Sequence, residues 1–127
     1  MAVAMQYGSG IYGGKRTDSG ISMTLLWTNP APTSNFSAQT VSLDLSEYDA
    51  VCIITKSTAG SSYTHWQFCL VGGDVTMANK GISNTTLYGR SAQVAEDGIT
   101  FSNGYNNATA GADNCVPWYI YGIKGLT

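Results

Sequence analysis

Electric charge is scarce in this sequence. Only 11% of the residues are Asp, Glu, Lys or Arg, whereas an average globular protein has about 25%. Six basic residues stand against eight acidic ones, so there is no basic surface for phosphate backbones and we expect no nucleic-acid binding. So little charge gives little protection from association through charge repulsion. This composition favours a subunit of an assembly over a freely diffusing monomer.

The sequence also lacks a membrane-spanning segment and a secretory signal. No stretch of the sequence approaches the roughly 20 consecutive apolar residues that a membrane span needs. Residues 1–10 lack the charged start and the apolar run of a secretory signal. We therefore expect a protein that is made in the cytoplasm and does not insert into a membrane.

Cysteine and histidine are too few for most catalytic or metal sites. Three cysteines cannot all pair within one chain, so Cys52, Cys69 and Cys115 are interpreted as packing thiols. The single histidine, His65, shares a strand face with Cys69, but there is no C-x-x-C pair to complete a zinc site. There is also no G-x-S-x-G motif around a nucleophilic serine. We predict no enzymatic activity and no cofactor.

The carboxylates lie at predicted turns. Asp44, Glu47 and Asp49 cluster around one turn, but their spacing does not match the twelve-residue calcium loop. Glycoside cleavage would need two carboxylates facing each other across a groove, a pattern that the remaining acids do not show. Turn formation and solvation account for these residues.

Alternation of apolar and polar residues dominates the rest of the sequence, and no segment keeps helical spacing over three turns. In the first strand, Ile21, Met23, Leu25 and Trp27 share one face, which we expect to be buried. Residues 48–55 are apolar on both faces, which indicates a central strand. Further strands are predicted at 41–45, 65–71, 75–77, 85–88, 90–95, 99–102 and 116–123.

These strands predict an all-β fold. About eight short strands, separated by turns rich in Gly, Asn, Ser and Pro, are typical of an antiparallel β-sandwich, here expected to be jelly-roll-like. The sandwich should span residues 21–127. Residues 1–20 contain five glycines and are predicted to form an extended arm, with Tyr7, Ile11 and Tyr12 as its assembly contacts.

Two stretches carry a resemblance to a known group of proteins. Residues 26–49, LWTNPAPTSNFSAQTVSLDLSEYD, and residues 118–125, WYIYGIKG, resemble small domains of tail-associated and other minor structural proteins of phages and prophages from gut bacteria. The resemblance implies a β-sandwich presented outward on the particle, commonly as a symmetric oligomer, and it brings no catalytic residues. Such domains tend to form the end of a longer tail or fibre protein, whereas only a short arm precedes this one. We therefore expect a separate virion subunit, such as a fibre tip, a head fibre or a decoration protein.

A second possibility is a module that recognises a host receptor. Tyrosine rings offer flat apolar surfaces to sugars, and Asn side chains offer paired hydrogen bonds. The candidate ligand-binding residues at or near predicted loops are Tyr63, Tyr88, Asn103, Tyr105, Asn106 and Asn107. Exposed tyrosine in an oligomer also occurs at subunit interfaces, so both interpretations stay open.

The sequence thus predicts a bacteriophage structural protein located in the virion. Its expected partners are further copies of itself, with a trimer favoured, other virion proteins and a bacterial surface glycan. An enzyme is the least favoured alternative.

Overall fold

A computed structural model of the chain describes residues 20–80, 86–107 and 109–126. These residues form strands and turns with no helix, and therefore no helix long and apolar enough to cross a membrane. The strands are β1 (Ser22–Thr28), β2 (Gln39–Ser42), β3 (Ala50–Thr58), β4 (Thr64–Leu70), β5 (Asp74–Lys80), β6 (Leu87–Ala95), β7 (Gly98–Phe101), β8 (Tyr105–Asn106), β9 (Thr109–Ala110) and β10 (Asn114–Lys124).

Two antiparallel sheets pack face to face, which confirms the predicted β-sandwich. The first sheet has four strands in the order β1-β10-β3-β4. In the second sheet β2 pairs with β7, and β7 pairs with the C-terminal half of β6. The N-terminal half of β6 pairs with β8, and β5 covers the other side of β6. Strand β3 lies inside its sheet, as the apolar run at 48–55 predicted.

The main core lies between the sheets. Alternate residues of β3, among them Val51 and Ile53, point inward and meet Ile99 and Phe101 of β7. Phe36, from the connection between β1 and β2, closes one end of the core with an edge-to-face contact of 5.4 Å between its ring centroid and that of Phe101. The three cysteines are free and buried, which confirms that they are packing thiols.

The predicted burial of the first strand is wrong for most of its length. Ile21, Met23 and Leu25 are exposed, while Leu26 and Trp27 pack against the core. A β-bulge between Leu25 and Trp27 shifts the register against β10. An extra residue at a bulge reverses which side chains point inward, so simple alternation from Ile21 to Trp27 fails at Leu26.

Two further boundaries differ from the sequence prediction. Residues 87–95 form one strand, β6, where two were expected. Residues 103–114, between the strands predicted at 99–102 and 116–123, contain the short β8–β9 hairpin. Gly20 is the one described residue of the predicted arm, so Tyr7, Ile11 and Tyr12 lie outside the described residues.

Candidate functional site

Several loops meet at one end of the sandwich, here called the loop end. The backbone N–H of Phe36 donates to the carbonyl oxygen of Ala112 at 2.8 Å, and that of Ala59 donates to Asp113 at 2.8 Å. The connections after β1, β3 and β9 are thereby joined. The loop end carries all the ligand-binding residues that the sequence suggested.

Four of those six residues are brought together by backbone pairing. Tyr88 pairs with Asn106, and Gly89 pairs with Tyr105, where β6 meets β8. The side chains of Tyr88 and Asn106 therefore share one face of this pair, and that of Tyr105 lies on the other face. A Cβ at residue 89 would overlap the ring of Tyr105, so the glycine lets that ring lie flat on the strand. Asn107, with φ at 53°, makes the turn, and its Oδ1 accepts from the backbone N–H of Leu87 at 3.0 Å. Tyr88, Tyr105, Asn106 and Asn107 are called the loop-end group.

The other two predicted residues lie apart from the loop-end group. Tyr63 follows β3 in the opposite sheet and is 77% exposed. Within residues 20–80, 86–107 and 109–126, no hydrogen bond or ring contact joins it to the loop-end group. Asn103 is exposed, and its carbonyl oxygen accepts a hydrogen bond from the hydroxyl of the neighbouring Ser102 at 2.9 Å.

A buried arginine holds the loop end together. The side chain of Arg90 is fully buried and donates to four backbone carbonyl oxygens: those of Ser102 at 2.7 Å, Cys115 at 2.8 Å, Asn114 at 2.9 Å and Ala112 at 3.1 Å. The guanidinium also lies 5.3 Å from the centre of the Phe36 ring. A buried charge is tolerated when its donors are satisfied. This role is not predictable from the sequence, because nothing in the local pattern marks Arg90 as a buried position.

Burial changes the acidity of the groups beside this arginine. Desolvation lowers the pKa of Arg90 to about 10, opposed by its attraction to Cys115. Desolvation raises the pKa of the Cys115 thiol to about 11, and the positive charge of Arg90 acts in the opposite direction. The thiol is therefore protonated and unreactive at neutral pH, because the thiolate is the nucleophilic form.

Among the described residues, His65 does not form a catalytic arrangement with other side chains. It lies opposite Thr55 on the inward side of the first sheet. The Nδ1 of His65 and the Oγ1 of Thr55 are buried without a hydrogen-bond partner among the described residues. The described part of the chain has no group of three or more His, Cys, Asp and Glu side chains that could hold a metal ion.

The carboxylates around residues 44–49 each have a separate structural partner. Asp44 accepts from the hydroxyl of Ser46 at 2.6 Å, which lowers the pKa of the carboxyl. Glu47 pairs with Lys124 at 3.3 Å, and Asp49 accepts from the backbone N–H groups of Gly125 and Leu126. These contacts support the interpretation of Asp44, Glu47 and Asp49 as turn residues.

The most unusual surface is the outer side of the first sheet. Cross-strand pairing lines up Met23, Ile123, Ala50 and Leu70 in one row, and Leu25, Tyr121, Cys52 and Phe68 in the next. Tyr119, Ile54 and Trp66 form a third row. This surface is called the outer apolar face. The side chains on its middle strands are buried or half-buried, whereas those on its edge strands are open to solvent.

The outer side of the second sheet is polar by comparison. Thr40 and Thr100 share a hydrogen bond of 2.9 Å between their hydroxyl oxygens, and Thr76 and Gln93 are exposed on the neighbouring strands. The outer side of the first sheet is thus apolar, whereas the outer side of the second sheet is polar. Monomeric soluble proteins seldom leave a large apolar sheet face open to water.

Comparison with known proteins identifies no relative of this chain. No family model, no curated protein and no solved structure matches the chain.

Proposed function

We propose that this chain is a non-enzymatic structural protein of a bacteriophage virion, which oligomerises on the particle surface as a fibre tip, head fibre, decoration subunit or tail-associated subunit. The observation that carries the proposal is the outer apolar face. An apolar surface of this kind favours a protein whose working state is an assembly. Three copies are the expected number.

The bacteriophage location rests on the resemblance of residues 26–49 and 118–125 to phage structural proteins. Residues 26–36 lead from β1 to Phe36 at the loop end, and residues 118–124 belong to β10. Both segments therefore contribute to the sandwich itself. A sandwich with an apolar side for subunits and a separate loop end suits a protein displayed on a particle.

The test is whether the chain copurifies with phage particles. Particles from a lysate of the bacterial strain that encodes the chain are separated on a density gradient and probed with an antibody to the purified protein. We expect the chain in the particle band, in constant ratio to the major capsid protein, while a host cytoplasmic protein stays in the soluble fractions. A chain found only in the soluble fractions would refute the proposal.

A second proposed function is recognition of a bacterial surface glycan through the loop-end group. It is favoured by the cross-strand pairing of Tyr88 with Asn106, which places an aromatic and an amide side chain on one face beside a base that Arg90 holds in place. A prearranged group of aromatic and amide side chains binds with less loss of conformational entropy than a loop that must become ordered.

A glycan array tests this second function, with two variants as a matched pair. Asn106→Ala removes an exposed amide from the loop-end group, whereas Tyr63→Ala removes an exposed ring outside it. We expect wild type and Tyr63→Ala to bind the same glycans and Asn106→Ala to lose the signal. An array with no signal for the wild-type protein in its native oligomeric state would rule this function out.

A further inference from the structure

The edge strands of the first sheet form two apolar ridges with a groove between them. On β4, Trp66, Phe68 and Leu70 are 56%, 55% and 65% exposed. On the opposite edge, Met23 and Leu25 are 44% and 49% exposed, and Ile21, just before β1, is 65% exposed. Between the ridges, above Ala50 and Ile123, lies a groove of about 520 Å³.

The ridges expose an area close to what one partner contributes to a stable interface. If each of these six residues and Leu126 has roughly 150–250 Å² of surface, the range for large aromatic side chains, their exposed fractions amount to roughly 570–950 Å². The largest apolar patch on a typical monomer is about 300–600 Å². One partner in an interface of standard size buries about 800 Å². The outer apolar face is therefore large enough for a specific partner.

The charged residues of the first sheet do not oppose contact between identical copies. The four strands of the first sheet contain no Asp or Glu, and their formal positive charges are Lys56 and Lys124. Lys56 is buried with its ammonium 5.3 Å from the centre of the Trp118 ring. Lys124 is paired with Glu47. A second copy would meet neither like charges nor an unpaired buried charge.

We propose that the outer apolar face binds the same face of a second copy of this chain. The face carries both ridges and a groove, so it is complementary to itself, which an interface with two-fold symmetry requires. The ridge of Phe68 and Leu70 on one copy enters the groove above Ala50 and Ile123 on the other. This inference rests on the proposed function. Contact between identical faces joins two copies, so the inference makes a two-fold dimer the unit of that assembly in place of the three copies expected there.

Two variants of the full chain, with a matched control, test the interface. Phe68→Glu and Leu25→Glu each place a carboxylate on an exposed position at opposite edges of the same cross-strand row. Thr76→Glu places one on an exposed strand position of the second sheet. Light scattering after size exclusion gives the mass of each protein, and circular dichroism with thermal unfolding verifies that each is folded.

We expect wild type and Thr76→Glu to have a mass of twice 13.4 kDa, and both face variants to be folded monomers. A wild-type mass of three times 13.4 kDa would overturn the inference, because same-face contact joins two copies. A monomeric wild type would overturn the inference. A low signal from a hydrophobic dye would then mean that other residues of the same chain cover the face, and a high signal that the face is open in the isolated chain. Face variants that keep the wild-type mass would overturn it as well, because the interface would lie elsewhere.

The proposed function and this inference can fail separately. A wild-type chain that is monomeric in solution but present in purified particles would refute the inference and leave the virion function standing. A wild-type oligomer that the face variants disrupt, but that is absent from particles, would refute the virion function and leave the interface standing.

Discussion

The Nε of Arg90 donates a hydrogen bond of 2.8 Å to the carbonyl oxygen of Cys115, a residue in the left-handed backbone region with φ at 45°. Left-handed backbone is costly for a residue with a side chain. The contact links the middle of β6 to the first residues of β10, and so joins the two sheets at the loop end. Four predictions follow from this part of the molecule and from the core around it.

Replacing Arg90 should destabilise the protein strongly. Arg90→Lys keeps the charge but loses the planar set of donors, so carbonyl oxygens of Ser102, Ala112 and Asn114 lose partners. Because Lys cannot replace Arg at a site of several fixed donors, we expect the free energy of unfolding to fall by about 2–4 kcal/mol. Urea unfolding measures this decrease in the free energy of unfolding. Lys124→Met, which breaks an exposed ion pair, should cost less than about 1 kcal/mol. Equal losses in the two variants would contradict the role of Arg90.

Removing the buried hydroxyl of Thr55 should not weaken the protein. Thr55→Val keeps the shape of the side chain and removes an Oγ1 that has no hydrogen-bond partner among the described residues. Burying an unpaired polar group costs about 1–3 kcal/mol, so we expect the free energy of unfolding to rise by about 1 kcal/mol. Thermal and urea unfolding measure the change. A clear loss of stability would show that the hydroxyl makes a hydrogen bond.

Alkaline pH should destabilise the protein partly through Cys115. The pKa of its thiol is about 11 in the folded chain against an ordinary value of 9.0. Below pH 9 both states keep the proton, whereas between 9 and 11 the unfolded state releases it and the folded state does not. Stability therefore falls as pH rises through this window, by up to about 1.4 kcal/mol per pH unit for one group.

Two substitutions separate this titration from packing. Cys115→Ala and Cys115→Ser differ in volume and polarity, and neither has a group that ionises between pH 9 and 11. We expect both variants to show a shallower decline of the free energy of unfolding with pH than the wild type, whatever their stability at pH 7. An unchanged slope in both variants would mean that the Cys115 thiol does not titrate differently in the folded and unfolded states.

An added methyl group at Gly122 should disrupt the first sheet. A Cβ at this position of β10 would overlap the ring of Tyr48 and the side chain of Leu26. Overpacking of this kind typically costs about 1–3 kcal/mol, so Gly122→Ala should lower the free energy of unfolding by that amount. Gly60→Ala is the matched control, because a Cβ there would meet no atom within 4 Å. Equal stability of the two variants would contradict the close packing at Gly122.

Much of the fold was predictable from the sequence. Alternation along β4 and β10 and the fully apolar run of β3 indicate strands, because side chains on a strand point to opposite faces with a period of two. Gly and Asn residues near 103–114 marked the loop end, and the tyrosines beside it were identified as candidates from residue type alone. The β8–β9 hairpin was missed because two-residue strands leave no periodic signal.

The sequence by itself determined that this protein is built of strands and, away from the β-bulge between Leu25 and Trp27, which residues of a strand share a face. Only the tertiary structure decided which face of each strand meets the other sheet. Phe68 and Cys69 both belong to an apolar run, but Cys69 faces the core and Phe68 faces solvent. Local spacing separates the two faces of a strand, whereas pairing between residues far apart in the chain selects the buried one. The same long-range packing buried Arg90 and left the outer apolar face open.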